Sequence, residues 1–250
     1  MAKQKGVINL VGTIGGINFY VRKGVAVARK AGGGFTAKSI KNSPKMVRVR
    51  ENSSEFGRCS QLKRVIKESL YVLLKDYKDA SLHARMMRLM QEIKVLDSIS
   101  ERGQRKVEQG LTTSLGKQLF LDFPFTENYR LSNLLNVSIT VNPINFSCII
   151  TGFDLKSVVF PKGSTHLKLS YLVCIYDFDV FSFKNYESSL FFEAQSVSSS
   201  SLIFSPDLPL ANLANVVCFC GISFYQQVGS EKYVLKNTNA VGVQCVHISL

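Results

Sequence analysis

The chain has 250 residues, 46% hydrophobic and 20% charged, the composition of a globular rather than a disordered protein, and it allows one large or two ordinary domains. Its formal net charge of +13 is unevenly placed: residues 1–118 hold 24 Lys and Arg against 9 Asp and Glu, and residues 119–250 hold 7 against 9. The longest apolar stretch, Val216–Tyr225, is about half of the ~20 residues that a membrane-spanning helix needs, so no span is expected.

Lys3 and Lys5 precede the largely apolar Gly6–Tyr20, and Ala26-Val27-Ala28 resembles a signal-peptide cleavage site. Gly12, Gly15, Gly16 and Asn18 break that stretch, however, and Arg22-Lys23 stands before the supposed site, where an apolar core should be continuous. The segment is therefore read as a β-meander of Val7–Val11, Ile17–Val21 and Val25–Ala28, with Gly-bearing hairpin breaks between the runs. Ala31-Gly32-Gly33-Gly34 reads as a joint, and Lys38 to Pro44 as a basic loop.

From Asn52 the apolar period changes to that of a helix. Asn52 and Glu55 have the spacing of a capping box, and Phe56, Cys59, Leu62, Ile66, Leu70, Leu73 and Tyr77 mark one buried face. A second helix, starting near Ser81, buries Leu82, Met86, Leu89, Met90, Ile93 and Leu96, and the short linker makes the two an antiparallel hairpin. Residues 98–110 predict a third, poorer helix ending at Gly110.

Beyond residue 116 the pattern is that of strands. They are expected at Leu119–Phe123, Val137–Val141, Phe146–Thr151, Leu167–Tyr176, Leu190–Ala194, Val216–Tyr225, Tyr233–Leu235 and Val241–Leu250, enough for a β-sandwich or jelly roll. Val216–Tyr225 is apolar on both faces, which places it in the middle of a core or of an intersubunit contact. Phe181, Phe183, Phe191 and Phe192 add apolar surface that calls for a partner. Ser196–Ser201 reads as a low-complexity loop.

Residues with chemistry are sparse. His83, His166 and His247 lack metal-ligand spacing, and Cys218-Phe219-Cys220 has no second ligand pair, so no metal is expected. Five of the six cysteines sit in apolar strand contexts and read as buried free thiols. Gly32 to Ser39 nearly matches a phosphate loop, but Ala37 stands where the second glycine belongs and Pro44 follows too soon for a stable helix. Asp177-Phe178-Asp179 reads as a strand-end turn rather than a cation site.

The remaining signal is charge. Arg64, Lys67, Tyr71, Lys75 and Lys78 fall within about 80° on the helix face opposite Leu62, Ile66 and Leu73, given 100° per residue. Arg48, Arg50 and Arg58 flank the start of this stripe, and Lys38, Lys41 and Lys45 approach it. Such a stripe lines up with phosphates, and Tyr71 is placed to stack on a base or sugar. No helix-turn-helix, basic-zipper or RNA-recognition signature accompanies it.

Met1 to Ile8, Gly12 to Tyr20 and Arg50-Glu51-Asn52-Ser53-Ser54-Glu55-Phe56-Gly57-Arg58 resemble an uncharacterised bacterial protein family. The resemblance covers about 110 residues, strongest in the third stretch; it implies a bacterial or bacteriophage-like origin and carries no activity.

The expected architecture is α+β: a basic N-terminal domain of β-meander and helical hairpin over residues 1–115, then an all-β sandwich or jelly-roll-like domain over 116–250. The expected role is a non-enzymatic structural or assembly protein. Its sandwich makes protein–protein contacts with copies of itself or another protein, and its basic half docks on an anionic partner through Arg48, Arg50, Arg58, Arg64, Lys67, Tyr71, Lys75 and Lys78. The alternative is a nucleic-acid-binding protein without sequence-specific readout. No cofactor is called for, and the expected location is the cytoplasm or an assembled particle.

Overall fold

The structure is a computed structural model that describes residues 2–6, 8–32, 36–128, 130–194, 201–209 and 213–250. It is α+β, and it divides into two compact units, residues 1–50 and 51–250.

The first unit is a four-stranded antiparallel sheet. Strands β1 (Ala2–Lys3), β2 (Gly12–Ile14), β3 (Ile17–Arg22) and β4 (Val25–Lys30) lie in the order β1-β4-β3-β2. Both hairpins turn on two residues with positive φ: Gly15 and Gly16 at 57° and 76°, Lys23 and Gly24 at 50° and 77°. This is the left-handed pair that matches strand twist in a tight hairpin. Val7, in the first expected strand, lies outside the described residues, and 8–11 are not a strand. The Gln4 side chain instead accepts from Leu10 N at 2.9 Å and donates to Leu10 O and Val27 O, each at 3.2 Å. The basic loop expected from Lys38 to Pro44 is largely helical: α1 spans Ala37–Asn42, capped by Thr36 Oγ1 accepting from Ser39 N at 3.1 Å. That hydroxyl satisfies one of the orphan amides of the first turn, a local bond invisible to periodicity.

The helices come next. Helix α2 (Val47–Ser69) starts five residues before Asn52, which is therefore not a cap. It is followed by α3 (Tyr71–Leu74), α4 (Leu82–Val95), α5 (Val107–Thr112), α6 (Ser114–Leu121) and α7 (Leu131–Leu135). One long helix was expected through Tyr77, but α2 stops at Ser69 because Asn185 Nδ2 donates to the Ser69 carbonyl at 2.7 Å. Leu73 N, which would have used that carbonyl, bonds Leu70 O at 3.0 Å instead. The expected third helix is replaced by a loop and the α5–α6 pair, and the expected strand at Leu119–Phe123 is the end of α6 and the loop after it. Helices pack closely here: a Cβ on Gly110 would stand 2.0 Å from Ile93 O.

Among the described residues, eight strands follow in the second unit: β5 (Ser138–Val141), β6 (Cys148–Thr151), β7 (His166–Asp177), β8 (Ser182–Glu193), β9 (Ser201–Phe204), β10 (Val216–Val228), β11 (Glu231–Val234) and β12 (Val241–Ser249). Strands β8, β7 and β10 run side by side, and the far edge of β10 pairs β12 along its first part and β11 at its end. Strands β5, β6 and β9 form a second, three-stranded sheet.

Side-chain alternation along β7 and β10 feeds two cores. Leu167, Leu169, Tyr171 and Val173 join Val216, Cys218, Cys220, Ile222 and Phe224 against Cys148, Ile150, Leu202 and Phe204 of the smaller sheet, which makes the sandwich. The opposite parity, Leu172, Cys174, Tyr176, Val217 and Phe219, packs on helical residues that include Leu62, Ile66, Leu70, Met86, Met90 and Ile93. The doubly apolar β10 is thus covered on both sides within its own chain. The helices need the sheet to bury their stripe, so the boundary expected at residue 115 falls inside one compact unit. Asp177 Oδ1 accepts from Asp179 N and Val180 N at 3.0 and 3.1 Å, a strand-end turn.

Candidate anion-binding groove

Helices α2 and α4 run antiparallel, joined rung by rung. Lys94 Nζ meets Glu55 Oε2 at 2.7 Å, Cys59 Sγ meets Met90 O at 3.8 Å, and Lys63 Nζ meets His83 Nδ1 at 3.0 Å. At the first rung Glu55 is a buried anion. Its carboxylate also takes Arg105 Nε at 2.8 Å, Arg105 Nη2 at 2.9 Å and Gly103 N at 2.8 Å. Arg105, with Lys94, holds the Glu55 carboxyl near a pKa of about 2 against the desolvation that would raise it. Asp97 ties the same loop, accepting from Ile99 N, Ser100 N and Lys106 N at 2.8–3.0 Å.

The third rung is different. Lys63 is only 5% exposed, and among the described residues no carboxylate pairs with it. Its neighbour is an imidazole, so the contact needs the neutral tautomer with a ring nitrogen accepting. Burial, with Lys67 close by, pulls the Lys63 ammonium below its ordinary pKa. Lys63, Arg64, Lys67, Glu68, Tyr71 and His83 line one open groove of about 520 Å³. Arg64 and Glu68 are exposed and 4.0 Å apart, a pair of little energetic weight. Lys67 makes no ion pair among the described residues, and Tyr71 is exposed on the groove wall.

The eight residues of the expected stripe therefore separate. Arg64, Lys67 and Tyr71 come together. Lys75 follows α3 on the exposed surface, and Lys78 lines another hollow with Tyr77, Asp79, Arg85 and Glu127. The 100° spacing fails past Ser69 because Asn185 ends the helix there. Arg58 is not a free cation: it pairs with Glu108 and its guanidinium lies 5.2 Å from the Phe181 ring centroid. Arg50 donates to Ile40 O and Ser43 O at 2.7 and 3.0 Å, closing the end of α1, and Arg48 is exposed within the first unit. The Arg50–Arg58 stretch thus serves structure, with Glu51, Glu55 and Arg58 each in an ion pair.

Lys63 and His83 stand outside the expected stripe. The sequence does carry a signal for the first: Lys63 lies four residues after Cys59 and three before Ile66, on the apolar seam itself, where a lysine is costly to bury. The other histidines stand elsewhere, His166 against Thr165 Oγ1 at 2.9 Å and His247 5.9 Å from the Phe146 ring. All six cysteines are buried and free. Among the described residues no three His, Cys, Asp or Glu side chains gather into a metal-like group, and no helix is long and apolar enough to cross a membrane. No family model, curated protein or solved structure matches the chain.

Proposed function

We propose that this chain is a non-enzymatic docking protein that holds an anionic partner, a phosphate backbone first among them, on the α2–α4 groove. The observation that carries the reading is Lys63: a lysine only 5% exposed that no carboxylate pairs with among the described residues, flanked by Arg64 and Lys67 in a groove whose acid, Glu68, faces Arg64. A buried charge without a counter-charge is costly, and a bound anion supplies what the fold leaves out. Tyr71 offers an exposed ring on the same wall for a sugar or base. The contacts available are charge and stacking, which favour a polyanion without sequence readout. An assembly role fits the same docking, but it needs no sandwich contact with a second copy, since both faces of β10 are covered.

The test is retention of the full chain on duplex DNA as salt is raised. Log affinity is expected to fall with log salt at about −0.9 per neutralised phosphate. The triple change Lys63→Gln, Arg64→Glu, Lys67→Glu is expected to make that slope shallower by about one for each phosphate left without its cation. Equal slopes for parent and variant, or no retention of the parent at low salt, would refute the groove.

A further inference from the structure

Residues 1–50 contain 11 Lys and Arg and no Asp or Glu, so most of the chain's +13 resides there. The sheet in this unit has almost no interior: of its strands only Ala26 and Val27 contribute buried apolar side chains. Ile8, Leu10, Val11, Ile14, Ile17, Val21 and Val25 are instead 43–82% exposed.

The strand register sorts these residues. Ile17 opposes Ile14 and Lys30, Phe19 opposes Gly12 and Ala28, and Val21 opposes Ala26. Directly paired residues share a face, so one side carries Ile14, Ile17, Phe19, Val21 and two alanines with a single lysine at its corner. The other carries Thr13, Asn18, Tyr20, Arg22, Val25, Val27 and Arg29, with Lys3 beside Val27. Lys3, Lys5, Arg22 and Lys23 flank the apolar residues at both ends in the sequence.

We propose that this sheet docks on an anionic lipid surface, its aliphatic face entering the boundary between headgroups and acyl chains and the cations at the edge of that face, Lys30 and the turn residue Lys23, meeting the lipid phosphates. Three observations select that occupant. A second copy would set 11 cations, with no acidic residue among them, against the same 11. Two strands of six residues and two shorter ones of two and three, set ~4.8 Å apart, offer on the order of 300 Å², less than half of what each partner in a standard interface buries, ~800 Å². The exposed side chains of that face are aliphatic rather than aromatic, suited to hydrocarbon and not to stacking on bases. Cations without interspersed acids are drawn to an anionic leaflet, and aliphatic insertion adds an attraction that salt does not screen.

The full chain is to be floated with vesicles of phosphatidylglycerol and phosphatidylcholine in equal parts, and with vesicles of phosphatidylcholine alone. It is expected to rise with the first and stay behind with the second. Ile14→Ser, Ile17→Ser and Val21→Ser together are expected to weaken binding to the anionic vesicles by about tenfold or more, with an unchanged circular dichroism spectrum. Should the triple variant lose its sheet, the single Ile14→Ser and Val21→Ser variants are each to show part of the loss. The idea is overturned by a parent that ignores anionic vesicles at low salt, or by serine variants that float as it does. A parent that takes up a glutamate-rich polypeptide or duplex DNA through this sheet while ignoring vesicles overturns it as well, in favour of a protein or nucleic-acid partner.

Discussion

The two units reach order by different means. Residues 51–250 bury side chains in two cores on either side of one sheet and pair interior charges, as at Glu55, with Lys63 the exception. Residues 1–50 rest on backbone pairing and two glycine-bearing turns, with no acidic residue among their cations and their aliphatics in water. The first pattern is that of a structure closed on itself apart from the Lys63 groove. The second leaves apolar side chains exposed, which is the ground of the proposed lipid docking.

The contrast is open to attack by substitution. The largest effect is expected from Glu55→Gln, which leaves buried Lys94 and half-buried Arg105 without their anion. Losing one partner of such a network costs about 3–5 kcal/mol, readable as a fall in melting temperature. Because the folded Glu55 carboxyl titrates near 2 rather than its ordinary 4.5, its contribution is complete above pH 4.5 and is lost as pH falls from there towards 2. Acid titration of parent and variant should show the parent's extra stability vanishing in that window; parallel curves throughout would deny the network its role.

A smaller loss is expected from Gly110→Ala, whose new methyl meets the Ile93 carbonyl. Overpacking of this kind costs about 1–3 kcal/mol, and chemical denaturation should record it as a lower midpoint with an unchanged slope. A neutral result would mean that α4 and α5 can move apart. The smallest effect is expected from deleting residues 2–46. The melting temperature of the remainder should stay within a few degrees, since the deleted unit has so little interior of its own. A large fall would show that residues 1–50 support the rest.

Much of the fold was legible because periodicity carries it. The seams of α2 and α4, the hairpin of β3 and β4 and the long strands β7, β10 and β12 announce themselves by spacing, whereas β2 lies in the glycine-bearing stretch that reads as a break. What spacing does not carry is which element covers which. The helical stripes read as a hairpin buried against itself, and the doubly apolar β10 as the middle of a core or of an intersubunit contact; in the structure the helices and one face of β10 cover each other. The same blindness governed the charges. Arg58, Arg50 and Glu55 looked like surface or cap residues, and their roles depend on groups 7–50 positions away. Lys63 is hidden for the opposite reason: it lies on the buried side of the helix, whereas a cationic stripe is recognised on the exposed side.

The order in which the chain is made gives the shared sheet one more meaning. The helical residues of the first core lie between Cys59 and Phe125, but the strands that cover them begin at Leu172 and end with Ile248. At ~5–20 residues per second, a ribosome that has finished the helices needs roughly 6–25 s to deliver the last of those strands. Throughout that interval the nascent helices carry an uncovered apolar seam, a substrate for a chaperone. A one-residue slip of β10 would turn Cys218 and Cys220 to the helices in place of Val217 and Phe219, so one register alone fills both cores.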